Sequence, residues 1–121
     1  MTGPAAGQLG IETGAVRSGA IVLRVRGDLV VSNMEQLERA VEEALIAETW
    51  GIVLDLADLG HVDTPGLALL YRLHERCAAG GSELVVAGLP DRFADLTQKL
   101  HLDQRMRFVR SVEEAFQRSN R

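Results

Sequence analysis

The feature that most constrains the fold of this sequence is a continuous apolar run, Leu84–Leu89, which lies between two segments of helical periodicity. A run without alternation is typical of a strand in the middle of a sheet that helices cover. Ile52–Leu56 is a second short apolar segment, and it also follows a helix-like segment. Strands that alternate with helices form crossover units whose strands run parallel. The sequence therefore predicts an α/β fold.

The remaining elements complete the order β-β-α-β-α-β-α-β-α, with about four helices and a mixed, mostly parallel sheet. Ile21–Arg26 alternates apolar and polar residues like a half-buried strand, and Leu9–Val16 is a weaker strand candidate that would pair with it as a hairpin. Ser32–Glu35 and Ser111–Glu114 each have the capping-box pattern, which predicts that Ser32 and Ser111 are helix N-caps.

Length, charge and cysteine content limit the classes of function. The 121 residues predict a single domain, 1–121, with about residues 1–7 and 119–121 flexible. The net charge of −4 argues against a nucleic-acid partner, which requires a basic surface. The apolar runs are far shorter than the roughly 20 residues of a membrane span, so we expect no direct membrane insertion. The single cysteine, Cys77, fits a reducing compartment, and we expect a cytoplasmic protein.

The segment Leu54–Leu70 carries the strongest functional signal, because it joins a strand, a polar loop and the start of a helix. Thr64 followed by Pro65 is a preferred helix start, which predicts Thr64 as the N-cap and Pro65 as the first helical residue. Thr64 then either caps the helix alone or also serves a partner or a phosphate. Asp63 either satisfies N–H groups of the turn or contacts a partner.

Three motifs resemble the STAS family, which includes the bacterial anti-sigma factor antagonists. They are Gly27-Asp28-Leu29, the loop Asp63-Thr64-x-Gly66-Leu67, and the ending from Phe108 to Phe116. The resemblance implies a protein–protein switch: a hydroxyl at the start of this helix is phosphorylated by a serine kinase of ATPase-type fold, which is also the anti-sigma factor. The unphosphorylated form docks on that partner. No cofactor and no catalytic residue is implied, so we expect a non-enzymatic protein.

This sequence departs from the antagonist pattern at two positions. The usual phosphoacceptor falls at Pro65, which has no hydroxyl, and Val30 replaces an acidic residue two positions after Asp28. The phosphorylation switch is therefore absent or moved to Thr64. The segment Asp63–Leu70 is also similar to the small STAS subunit of lipid-transport ABC complexes, which implies an ABC ATPase subunit as an alternative partner.

The predicted partner-binding surface combines the loop with one face of the following helix. Leu69 shares a helix face with Arg72 and Arg76, opposite the apolar face, so we expect it to be an exposed docking contact. The complete set of predicted partner-binding residues is Asp28, Asp63, Thr64, Pro65, Gly66, Leu69, Arg72 and Arg76.

Other chemistries have weaker support in the sequence. The histidines His61, His74 and His101 lack metal-ligand spacing, so we expect no metal site. Asp55 at a strand end is also typical of a receiver-like phosphoacceptor domain, which is a less favoured alternative. Receivers place a lysine at the end of a late strand, whereas the single lysine of this chain, Lys99, lies on a predicted helix.

Overall fold

The computed structural model describes residues 5–46 and 49–119 of the chain. Strands and helices follow one another in the order β1 Leu9–Arg17, β2 Ala20–Leu29, α1 Met34–Leu45, β3 Gly51–Asp55, β4 Leu59–Val62, α2 Thr64–Ala79, β5 Glu83–Ala87, α3 Ala94–Lys99, α4 Leu102–Arg105, β6 Arg107–Val109 and α5 Val112–Ser119. Two short 3-10 turns, Val31–Asn33 and Asp91–Phe93, precede α1 and α3. The predicted flexible ends fall partly on residues 1–4 and 120–121, which lie outside the described residues.

One six-stranded sheet organises the molecule. The strand order is β1-β2-β3-β5-β6, and β4 pairs with the end of β2. Among the strand pairs of the described residues, β1–β2 is antiparallel and the others are parallel. The prediction of a mixed, mostly parallel α/β sheet is therefore confirmed. β4 was not predicted, because only the two end residues of Leu59-Gly60-His61-Val62 are buried and the segment shows no alternation.

Helices cover the two faces of the sheet unequally. A large aliphatic core lies between the sheet and α1 and α2, where Leu23, Leu54 and Leu70 are fully buried. A smaller core lies under α5 on the opposite face and contains Val85 and Phe116. Each fully buried leucine stabilises the fold by about 1.5–3 kcal/mol relative to an exposed one. This core holds the carboxyl ends of β2 and β4 together with the start of α2.

The helix ends agree only in part with the sequence patterns. Ser111 Oγ accepts the N–H of Glu114 at 3.2 Å, which confirms Ser111 as the cap of α5. Ser32 is not the N-cap of α1, because it lies inside the 3-10 turn and Asn33 occupies the cap position. Because the 3-10 turn Val31–Asn33 precedes α1, the helix begins one residue later than the capping-box pattern predicts. α2 ends at Ala79, and Gly81 follows in the left-handed region at φ 81°, which glycine adopts without steric cost.

No helix in the part of the chain that the structure describes has the length and apolar character needed to cross a membrane.

Candidate functional site

The start of α2 is set by Asp63 and not by Thr64. Asp63 has extended backbone angles, and its Oδ1 accepts the N–H of Gly66 at 2.8 Å. Thr64 is therefore the first helical residue and Pro65 the second, so the prediction of Thr64 as N-cap is wrong by one position. A carboxylate caps as well as a hydroxyl and also complements the positive end of the helix dipole. Thr64 and Pro65 are both exposed.

The second oxygen of Asp63 connects this turn to another part of the chain. Asp63 Oδ2 accepts the N–H of Val31 at 3.1 Å, in the 3-10 turn that follows β2. The backbone N–H of Asp63 also donates to the carbonyl of Leu29 at 3.2 Å. Asp63 therefore satisfies turn N–H groups, as one of the two interpretations predicted. It holds the Asp63–Gly66 turn and the Val31–Asn33 turn as one surface.

Gly66 allows α2 to approach the end of β2 closely. A Cβ atom at this position would lie 2.5 Å from the carbonyl oxygen of Leu29 and 2.9 Å from Cγ2 of Val62. Real Cβ atoms do not approach backbone oxygens this closely, so no larger residue fits without a shift of the helix. Gly66 itself is buried. Its close packing against the end of β2 fixes the position of the exposed Thr64–Pro65 pair.

Asp28 lies at the end of β2, close to the same turn. Its carboxylate accepts the N–H of Gly7 at 2.7 Å, and its backbone carbonyl accepts Nδ2 of Asn33 at 2.7 Å. Asn33 also donates Nδ2 to the carbonyl of Gly7, and its Oδ1 accepts the N–H of Val30 at 3.1 Å. Asn33 therefore organises the β2–α1 connection. Sequence reasoning missed this role, although an asparagine after a strand is a common turn signal.

Arg92 is a second residue that sequence reasoning missed. Its Nη2 donates to the carbonyls of Leu59 and Gly60 at 2.7 and 2.9 Å, and its guanidinium lies over the ring of Phe93. These bonds attach the start of α3 to β4, which leads directly into Asp63. No local pattern around Arg92 indicates this contact, because the two segments are more than thirty residues apart.

The predicted docking face of α2 is contradicted by the burial of Leu69, which is fully inaccessible to solvent. The buried residues of α2 are Gly66, Leu67, Leu69, Leu70, Leu73 and Cys77. α2 packs against both the sheet and α1, so it buries a wider arc than a helix that packs on one side. Within the predicted apolar face opposite Arg72 and Arg76, Leu70 and Cys77 are buried, whereas Tyr71 and His74 are only half-buried.

Arg72 and Arg76 are exposed, as predicted, but both face acidic residues of α1. Arg76 donates Nε and Nη2 to the two carboxylate oxygens of Glu42, at 2.9 and 3.0 Å. Arg72 lies 4.0 Å from Glu38. These contacts place the arginines along the α1–α2 seam, and the structure does not combine them with Leu69 into one exposed patch.

Cys77 is poorly placed for nucleophilic chemistry, because it is buried. Burial raises the pKa of Cys77 to about 11, the neighbouring Arg76 opposes this shift, and Glu42 adds to it. A thiol with such a pKa is a poor nucleophile. No cluster of three potential metal ligands occurs among residues 5–46 and 49–119. The Asp55 carboxylate accepts the N–H of Ala57 and pairs with Arg24 at 3.7 Å. What the arrangement offers chemically is an exposed turn that is held by hydrogen bonds to Asp63 and carries the hydroxyl of Thr64.

Comparison with known proteins finds solved structures with the same fold. The fold is similar to that of an anti-sigma factor antagonist from Mycobacterium paratuberculosis, with a TM-score of 0.82 and 16% identity over 94% of this chain and 96% of that one. It is also similar to the phosphorylated form of the Bacillus cell fate determinant SpoIIAA, with a TM-score of 0.68 and 19% identity over 91% and 99% of the two chains.

A sulfate transporter family protein from Wolinella succinogenes matches with a TM-score of 0.71 and 16% identity, over 84% of this chain and 85% of that one. At these identities the structural likeness shows the fold alone. The family assignment rests on the sequence, because a family model for the STAS domain matches residues 14–115. The resemblance predicted from the three motifs is confirmed: the chain belongs to the STAS domain family.

Proposed function

We propose that this protein is a non-catalytic regulatory protein of the anti-sigma factor antagonist type. In this proposal the Asp63–Gly66 turn, together with the exposed side of the first turn of α2, docks on an anti-sigma factor of ATPase-type fold. The observation that carries the proposal is the exposure of Thr64 and Pro65 on a turn whose backbone is held from beneath. Structural neighbours that are anti-sigma factor antagonists support it.

The turn is well ordered for recognition before any partner arrives. Both carboxylate oxygens of Asp63 are engaged within the protein, and Gly66 is packed against β2. Asp63 therefore acts by positioning the turn, and the exposed atoms offered to a partner belong to Thr64 and Pro65. A preorganised surface loses little conformational entropy on binding, which favours affinity.

Thr64 is the residue that would carry a phosphate in this chain. It supplies a hydroxyl at the first position of α2, whereas Pro65 supplies none. A phosphate there adds about 1.5–2 negative charges beside the helix N-terminus, where the dipole stabilises it. The same charge lies next to the Asp63 carboxylate and would repel an acidic docking surface. Phosphorylation of Thr64 would therefore release the partner.

An ABC ATPase subunit is the second candidate partner. The observation that favours it is the sequence Asp63–Leu70, which resembles the loop of lipid-transport STAS subunits and whose first four residues form the exposed turn described above. The two candidates use the same surface, so the identity of the protein that binds distinguishes them.

The proposal is tested by calorimetric titration of the purified protein with two panels from the source genome. One panel contains the anti-sigma factors of ATPase-type fold, and the other contains the ABC ATPase subunits. We expect binding to one protein of the first panel and at least about tenfold weaker binding by Thr64→Glu, since a charge enters the contact. Thr13→Glu, at an exposed site on β1, is the control and should bind normally. Binding only within the second panel would favour the ABC alternative, and binding within neither would refute the proposal.

Phosphorylation is tested separately, by incubation with the bound kinase and ATP followed by mass spectrometry. We expect phosphate on Thr64 or on no residue. Phosphate on Ser32, Ser82 or Ser111 in place of Thr64 would show that the assigned position is wrong.

A further inference from the structure

Three large aliphatic side chains are strongly exposed among the described residues, and one of them adjoins the Asp63–Gly66 turn. Val16 on β1 is 56% exposed, Ile46 after α1 is 82% exposed, and Val31 is 65% exposed. Single exposed aliphatic residues are common and by themselves indicate nothing. Val31 differs from the other two because it is attached to the candidate site.

The attachment of Val31 is a direct hydrogen bond. Its backbone N–H donates to Oδ2 of Asp63 at 3.1 Å, while the other oxygen of the same carboxylate caps α2. Asn33 holds the preceding residue, Val30, by accepting its N–H at 3.1 Å. The backbone N–H groups of Val30 and Val31 are therefore both held by side chains. The shared carboxylate keeps Val31 close to Thr64.

We propose that Val31 is the apolar anchor of the docking surface and that it sets the preference for a partner with an apolar pocket beside its contact to Thr64. This inference rests on the proposed function and names a specificity-determining residue for it. The partner is the anti-sigma factor of ATPase-type fold proposed above.

Binding by a partner removes apolar surface from water, which is favourable, but it also fixes side chains, which costs entropy. Val is β-branched and has few rotamers, so its burial by a partner gains apolar contact at little side-chain entropy cost. Its exposure leaves this gain unused in the free protein. The connection between β2 and α1 contains two aliphatic residues, Val30 and Val31, although polar residues there would make the protein more soluble. A partner that buries Val31 beside Thr64 would meet one apolar and one polar point on the same surface.

The test is the isosteric substitution Val31→Thr, which keeps the shape and replaces a methyl group by a hydroxyl. Val16→Thr is the matched control, because Val16 has similar exposure but lies on β1. Each variant is titrated by calorimetry against the same purified ATPase-fold anti-sigma factors as the wild type, and its midpoint of thermal unfolding is measured to confirm the fold. We expect Val31→Thr to weaken binding at least about fivefold and Val16→Thr to leave it unchanged.

The outcomes separate this inference from the proposed function. If the wild type binds and Val31→Thr binds equally well, Val31 is not an anchor, while the proposed function stands. Equal weakening by Val31→Thr and Val16→Thr would also overturn the inference, because the effect would not be specific to the site. If the wild type binds no anti-sigma factor, the proposed function fails and the inference fails with it.

Discussion

Asp63 is the residue on which the geometry of the exposed turn depends most. One of its oxygens caps α2, and the other holds Val31. A hydroxyl residue could perform only the first of these tasks, because the two N–H groups approach opposite oxygens of a carboxylate. The sequence pattern drew attention to Thr64, yet the same pattern allowed a cap one residue earlier. Because Asp63 supplies the capping oxygen, the Thr64 hydroxyl is not needed for capping and lies at the surface.

Substitutions of Asp63 separate its two roles. Asp63→Ala removes both hydrogen bonds, so we expect the free energy of unfolding to fall by about 1–2 kcal/mol. Asp63→Asn keeps a good capping oxygen but presents an amide that cannot accept the N–H of Val31, so the loss should be about 0.5–1 kcal/mol. Urea unfolding of both variants measures these values. An Asp63→Asn variant as stable as the wild type would show that the bond to Val31 contributes nothing, whereas equal losses in the two variants would show that the capping bond contributes nothing.

Gly66 is a second residue whose role can be tested through its close packing. A Cβ atom there would lie 2.5 Å from the carbonyl oxygen of Leu29, which is backbone and cannot rotate away. We expect Gly66→Ala to lower the free energy of unfolding by about 2–3 kcal/mol. Gly80, at the other end of α2, is the control, since its Cβ would lie 3.6 Å or more from any neighbour and its φ is −93°.

Gly80→Ala should change the free energy of unfolding by less than about 0.5 kcal/mol, as is usual for surface substitutions away from special features. Denaturant unfolding of the two variants under the same conditions provides the comparison. A loss for Gly66→Ala no larger than that for Gly80→Ala would contradict the close approach of α2 to β2.

At the scale of elements, α2 shows why helical periodicity alone misplaced part of the surface. Its sequence is apolar over more than one face, and either of two rotations satisfies the pattern. The structure selects the rotation that buries Leu69 and Leu73, because α2 lies between the sheet and α1. Arg72 and Arg76 then point along the seam toward Glu38 and Glu42. A neighbouring helix is a tertiary feature that a single-helix pattern does not contain.

Cys77 lies on the buried face of α2 and makes the packing of this helix sensitive to pH. Its pKa rises from the ordinary 9.0 to about 11, first because burial disfavours the thiolate. Below pH 9 the Cys77 thiol is neutral in both the folded and the unfolded state, so its burial carries no cost of desolvating a charge. As the pH rises above 9, the unfolded chain loses its proton first, so stability falls until the folded thiol ionises near pH 11.

We therefore expect the free energy of unfolding of the wild type to decline more steeply than that of Cys77→Ala between pH 8 and pH 10, by up to about 1.4 kcal/mol per pH unit. Urea unfolding at several pH values measures both slopes. Groups other than Cys77 titrate alike in the two proteins and cancel in the difference. Parallel declines would show that the thiol is not buried in the folded state.

At the scale of the whole molecule, the fold was largely predictable because strand and helix periods are local signals. The apolar runs, the alternating strand and the glycines after α2 define their elements without reference to distant residues. β4 could not be predicted, because its short segment becomes a strand only through its pairing with the end of β2. The region between β5 and β6 likewise divides into a 3-10 turn, α3 and α4, where the pattern indicated one helix.

The candidate site was predictable only where one segment carries it. The Asp63–Gly66 turn lies within a contiguous motif and was identified from the sequence. Val31 contacts this turn from another segment, Asn33 holds the neighbouring connection from β2 to α1, and Arg92 binds β4, so no spacing along the chain links these residues to the turn. Their roles depend on which strand ends lie side by side, and this is a property of the assembled sheet.

The most direct test is an amide chemical-shift titration of the ¹⁵N-labelled protein with the anti-sigma factor of ATPase-type fold that binds it. The account predicts that the largest changes occur at Val31, Thr64 and Gly66, with little change along β1 and α5. Changes confined to β1 or α5, with the amides around Thr64 unaffected, would contradict the claim that this turn is the docking surface.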